Sequence, residues 1–298
     1  MFNKLSFFLL AFSVNVFSQT NLIEISTLNG VWIAEEYYNA FEENNSAIKS
    51  KNAFDYSYPV ALRINTSENK KGILNIGYSV LHDHFLHPEV SKYVVKNKDT
   101  ISEQGSFSVD LNSKDSLGFY KIIDFREFNN DWVSYLSLDS QNSTVTLYRP
   151  KNKEHTEEII KYKRVKSTFN KDYQYPNPLY YYTRSKNLVG NYVLKDINDN
   201  LLSNDLVISE DGLVKGYSLL EGFTVYFSTD IYCGLPSNED LVIFIRDVFD
   251  NESKSYAYSY VKDKKGNISL YNNEMGTIEG TNFEVIKLTD KVYDLIKK

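Results

Sequence analysis

The sequence predicts an all-β protein of two tandem domains, on three observations. The first is residue preference: 24 Tyr and 18 Phe stand against seven Ala in 298 residues. Aromatic and β-branched side chains suit a pleated, half-buried surface, whereas Ala is the best helix former. The second is a recurrence of short alternating apolar and polar runs, divided by turn signals such as Asp211-Gly212, Lys265-Gly266-Asn267 and Asn129-Asn130-Asp131. The third is internal repetition. Leu28-Asn29-Gly30-Val31-Trp32 matches Leu188-Val189-Gly190-Asn191-Tyr192, Gly77-Tyr78-Ser79-Val80-Leu81 matches Gly216-Tyr217-Ser218-Leu219-Leu220, and Tyr162-Lys163-Arg164-Val165 matches Val285-Ile286-Lys287-Leu288. Three matches in the same order point to two related domains.

The elements follow in chain order. Met1 to Lys4 carries one positive charge, Leu5 to Val14 is mostly apolar, and Val16-Phe17-Ser18 suits a signal peptidase. Residues 1–18 are therefore expected to be a signal peptide cleaved after Ser18, leaving a secreted or periplasmic chain. The apolar run falls short of the ~20 residues of a membrane span, so the chain is not expected to span one; the alternative for this run is a buried N-terminal strand. The first domain is expected over 22–168, with strands near 30–35, 60–65, 73–85, 91–96, 105–111, 119–125, 132–138, 144–148 and 158–165. A linker over 169–185 carries Tyr175-Pro176-Asn177-Pro178 and suits an extended path packed on a domain. The second, smaller domain, 186–298, reads as strands near 191–195, 205–209, 213–220, 223–228, 241–249, 255–262, 268–271 and 283–288. Val292, Leu295 and Ile296 sit at helical spacing, so a short C-terminal helix is expected.

The two copies differ in length. Gly30 to Gly77 is 47 positions and Gly190 to Gly216 is 26, so the first copy carries 21 more residues. Most fall in an insert at about 35–58, where Tyr37, Tyr38, Phe41 and Ile48 suit a short amphipathic helix. Such an insert reads either as a lid or binding loop or as a segment packed on the barrel exterior.

Gly30-Val31-Trp32 on the first strand, Asp131-Trp132-Val133-Ser134-Tyr135 later, and Arg164 on the last strand resemble the lipocalin pattern. In the second copy Gly190-Asn191-Tyr192 and Lys287 take the matching places, with Tyr for Trp and Lys for Arg; the Asp-aromatic element has no convincing counterpart there. The resemblance implies two tandem lipocalin-like antiparallel up-and-down β-barrels, in which Trp32, Arg164, Tyr192 and Lys287 are structural. Barrels of this kind can hold one small ligand.

Composition excludes several functions. Hydrophobic residues make up 42%, enough for a sizeable core, so a wholly disordered chain is ruled out. A net charge of −6 and a pI near 5.4 argue against nucleic-acid binding. The single Cys233 allows neither an intrachain disulfide nor a Cys-based metal cluster. No Gly-rich phosphate loop follows a strand, and no cofactor or resident metal is expected. Gly77-Tyr78-Ser79 and Gly216-Tyr217-Ser218 lack the second Gly of a nucleophile elbow, and Asp196–Asn200 lacks the Gly and Glu of a calcium loop.

One stretch stands out: His82-Asp83-His84-Phe85-Leu86-His87 holds three of the four His. Leu74, Ile76, Tyr78 and Val80 share the apolar face of the preceding strand, and the same register carries His82 and His84 onto it. There they could anchor a polar ligand head or hold a metal; a bulge after Val80 would turn both outward as rim residues. Three functional readings follow. One is a binding protein holding a small apolar molecule in the first barrel, with the insert as gate and Tyr38, Tyr78, His82 and His84 as ligand-binding residues. The second is a surface or matrix interaction protein with solid barrels. The third is a metal-dependent enzyme at His82 and His84. Tyr256, Tyr258 and Tyr260 share one strand face, either as barrel filler or as a carbohydrate platform.

Overall fold

A computed structural model describes residues 25–54, 58–68, 71–81, 106–124, 133–153, 156–166, 178–210, 212–220, 224–227, 239–246, 254–277, 279–280 and 284–298. The expected signal segment, His82, His84, Trp132, His155, Cys233 and the strand expected near 91–96 lie outside these residues. The described residues fall into two compact units. The first takes 25–35, 61–78 and 106–166, and the second takes 36–60, 79–81 and 178–298.

The first unit is a closed antiparallel barrel of eight strands: β1 (Gly30–Ala34), β2 (Ala61–Ile64), β3 (Ile73–Ser79), β4 (Ser106–Asp110), β5 (Phe119–Asp124), β6 (Tyr135–Asp139), β7 (Thr144–Arg149) and β8 (Glu158–Lys166). Each pairs with the next, and β8 closes on β1 through Trp32↔Arg164, Ile33↔Lys163 and Ala34↔Tyr162. Closure leaves no sheet edge. Alternation sets the inner face: Leu74, Ile76 and Tyr78 on β3 and Leu136 and Leu138 on β6 are buried, as are their cross-strand partners Val109, Phe107, Leu147 and Val145.

One end of this barrel is plugged by the residues that carry the lipocalin resemblance. Trp32 is buried, and its indole Nε1 donates to the Leu28 carbonyl at 2.9 Å. The Arg164 guanidinium lies 5.2 Å from the Trp32 ring centroid and donates to the Thr27 carbonyl at 2.5 Å.

The second unit holds eight antiparallel strands: β9 (Gly190–Asp196), β10 (Leu201–Ile208), β11 (Val214–Lys215), β12 (Thr224–Phe227), β13 (Leu241–Arg246), β14 (Lys254–Lys262), β15 (Ile268–Thr277) and β16 (Glu284–Lys297). Their order is β11-β10-β9-β16-β15-β14-β13-β12. Among the described residues β11 and β12 are edges, so a second closed barrel is not found and the sheet is open there. Tyr192 Oη donates to the Leu188 carbonyl at 2.8 Å, the same four-residue reach as Trp32 to Leu28. On β14, Tyr258 and Tyr260 are buried and fill the inner face, while Tyr256 is exposed at its end.

Four sequence expectations need correction. Residues 290–297 are strand, not a C-terminal helix: Leu295 pairs with Ile268 on one side and Leu194 on the other. A short isolated helix is marginal in water, whereas pairing on both sides satisfies the backbone and buries Leu295. Lys287 is not the counterpart of Arg164. It opposes Glu274, while Tyr192 is opposed by Lys297, because β16 runs nine residues past Leu288. The strand expected over 213–220 ends at Lys215, since Gly216 takes φ +89°. The linker is not extended over its last residues: Pro178–Asn187 is a helix, with Pro178 at the first turn, where its missing N–H costs nothing.

The insert carries the short helix expected around Tyr37, Tyr38 and Phe41. It forms α1 (Glu35–Asn44) and α2 (Ala47–Ser50), and from Glu36 onward it belongs to the second unit. With the linker helix as α3 (Pro178–Asn187), its buried Phe41 packs 5.1 Å from the Tyr182 ring and Tyr38 lies 5.9 Å from it. Tyr182 Oη donates to Glu42 Oε1 at 3.0 Å, and Lys186 pairs with the same carboxylate at 2.5 Å. No helix among the described residues is long and apolar enough to cross a membrane.

Candidate functional site

The barrel has two unlike ends. Because its strands alternate in direction, the connections 65–72, 111–118 and 140–143 leave from the Trp32 end. The connections 35–60, 80–105, 125–134 and 150–157 leave from the other. The longer connections thus leave from one rim, and in small barrels function is usually carried on such connections.

Among the described residues, that rim carries a strongly polar group turned inward. On β7 Val145, Leu147 and Arg149 are buried on one face while Thr144, Thr146 and Tyr148 are not. Arg149 therefore continues the apolar row into the barrel at 4% exposure. Its Nε donates to Ser134 Oγ at 3.0 Å, and its Nη1 lies 3.9 Å from Glu158 Oε2, on the residue directly opposite across β7–β8. Tyr162 lies on the inner face of β8. Burial pushes its phenol well above the ordinary tyrosine range, with the Arg149 charge opposing the shift. It is a neutral hydrogen-bonding group at any physiological pH.

Tyr78 belongs to the same rim. It ends the inner row of β3, is nearly fully buried, and packs 5.8 Å from the Phe107 ring. Around these groups the wall is aliphatic and aromatic. The arrangement supplies an apolar inner wall with a cation, the Ser134 and Tyr78 hydroxyls and a carboxylate at one rim, and the Tyr162 phenol further along β8. Such a wall can orient a molecule with an apolar body and a polar end.

Of the ligand-binding residues expected from sequence, Tyr78 stands at this rim. Tyr38 lies on α1 in the second unit, against Tyr182. His82 and His84 lie outside the described residues. Sequence reasoning missed Arg149, although the signal was present: ending the strand at Tyr148 stopped the alternation one residue too soon. Among the described residues no group of three or more His, Cys, Asp or Glu side chains is placed to hold a metal. Comparison of the chain with family models, curated proteins and solved structures found no match.

The second unit has its own buried polar cluster. Asp240 Oδ1 accepts the Ile48 N–H at 3.0 Å, and the Asp240 carbonyl accepts the Tyr260 N–H at 3.0 Å. Burial raises the Asp240 carboxyl, against the hydrogen bonds from Ile48, Ser46 and Ala47; Glu239 adds to the rise. The sign follows from linkage. A carboxyl raised on folding contributes stability that is fully present below its unfolded value and lost as pH rises through the folded value. Asp240→Asn keeps an acceptor for Ile48 and removes the titration. The variant should lose the part of the stability gain that wild type shows between about pH 7 and pH 4. Urea denaturation at both pH values measures this, and equal pH slopes in the two proteins would refute it.

Proposed function

We propose that the protein is secreted after loss of residues 1–18 and binds a small, largely apolar molecule in the first barrel. The supporting observation is the inward-facing Arg149 at the rim with the long connections, set among Tyr78, Tyr162 and apolar walls. The apolar body of the guest would gain roughly 25 cal/mol per Å² of surface removed from water. Arg149, Ser134 and Tyr162 would orient its polar end.

Native mass spectrometry of mature protein purified from its own host tests this reading. Wild type should retain an organic adduct on the order of a few hundred daltons, the size such chambers hold. Arg149→Met keeps the length of the stem and removes the polar fork. It should lower adduct occupancy about tenfold or more, the loss of one charged hydrogen-bonding anchor, while circular dichroism stays at the wild-type spectrum. A bare wild-type mass would overturn the proposal.

One observation favours a second reading, a surface interaction protein. On the outer face of β5–β8, the Phe119 and Tyr148 rings lie 5.2 Å apart, Tyr135 and Tyr148 lie 6.4 Å apart, and Ile159 is 57% exposed. A bare mass would favour that reading. The metal-dependent enzyme at His82 and His84 draws on residues outside the described ones, and a metal-sized adduct would revive it.

A further inference from the structure

Two fully buried polar atoms in the second unit have no hydrogen-bond partner among the described residues: Tyr37 Oη and Asn187 Oδ1. Their side chains are 0% and 1% exposed. Burying a hydroxyl or an amide oxygen unpaired is costly, and native interiors rarely leave such groups unsatisfied. Asn187 is the last residue of α3. Its Nδ2 donates to Tyr260 Oη at 2.9 Å and to the Asn45 carbonyl at 3.3 Å. Donation to a backbone carbonyl fixes the amide orientation, so the orphan atom is the acceptor oxygen. Tyr37, on α1, has a hydroxyl proton to give. Asp240 and Tyr260 share this environment: the Tyr260 N–H bonds the Asp240 carbonyl, and the Asp240 charge reaches the phenols of both Tyr37 and Tyr260.

The occupant must accept from Tyr37 and donate to Asn187. An anion cannot donate, and the Asp240 carboxyl disfavours one. An apolar guest can do neither. A single water molecule does both and needs the least volume. We propose that Tyr37 Oη and Asn187 Oδ1 hold one structural water, which completes the hydrogen bonding between the insert helix α1, the linker helix α3 and strand β14.

Tyr37→Phe in the full chain tests this. If the hydroxyl binds a shared water, its removal strands that water and lowers the folding constant about tenfold, with the variant still folded. If the hydroxyl is unpaired, Phe is neutral or stabilising, and the proposal fails. Asn187→Ala with Tyr37→Phe closes a double-mutant cycle: a shared water makes the two effects non-additive, and additive effects overturn it. Should Asn187→Ala fail to fold, a crystal structure at about 1.5 Å or better decides. One water peak within hydrogen-bond distance of both atoms supports the proposal. A cation, an organic molecule or no density overturns it.

Discussion

Trp32→Ala is expected to destabilise the barrel by about 3–5 kcal/mol, the usual range for truncating a fully buried Trp. Three interactions go together: the packed indole, the Nε1 bond to the Leu28 carbonyl, and the stack under Arg164. A cation over an aromatic face contributes only about 0.5–2 kcal/mol, so Arg164→Ala should have the smaller effect. Trp32→Phe should recover most of the loss, because it refills the plug without the indole hydrogen bond. Urea unfolding followed by far-ultraviolet circular dichroism ranks the three variants. If Trp32→Ala and Arg164→Ala proved equally mild, Trp32 would not be the plug described here.

Gly30→Ala should cost roughly 3 kcal/mol, from backbone strain and a clash at the closing seam. Gly30 has φ +150°, and an added Cβ would stand 2.0 Å from the Lys166 carbonyl oxygen on β8. Backbone on both sides leaves nothing to rotate away, so β1 and β8 must part where the barrel closes. Gly77→Ala is the internal control. Gly77 lies within β3, and its added Cβ would meet the Arg63 side chain at 3.2 Å, a contact a flexible stem can relieve. Thermal melts should show a large drop for Gly30→Ala and a small one for Gly77→Ala. Equal drops would remove the steric argument.

Much of the fold was legible because period-two alternation and turn residues act locally. The strands over 144–149 and 158–166 emerge from sequence within a residue at each end, whereas the one expected over 73–85 begins at Ile73 but ends at Ser79. The Trp32–Arg164 pair emerges as well, because its signal sits in a few residues on the first and last strands of the first barrel. Less of the candidate site was legible. Tyr78 follows from register, but Arg149 required knowing that β7 runs one residue further. The packing of Tyr38 on Tyr182 was not legible, since an amphipathic helix declares a buried face without declaring what buries it.

The sequence by itself determined the all-β class, the aromatic interior, the glycine at the seam and the polar turns. One such turn is Asp196–Asn200, where the Asp196 carboxylate accepts the Asn198 and Asn200 N–H groups at 2.8 and 2.9 Å. All of these rest on interactions between residues close in the chain. Only the tertiary structure decided that β16 continues to Lys297, that Lys297 rather than Lys287 faces Tyr192, and that the insert joins the linker helix in the second unit. Those outcomes depend on cross-strand partners and buried faces supplied by residues a hundred or more positions away, as for Tyr182 with Glu42 and Asp240 with Ile48. Local preference cannot rank such pairings, because their free energy comes from desolvation shared between distant segments.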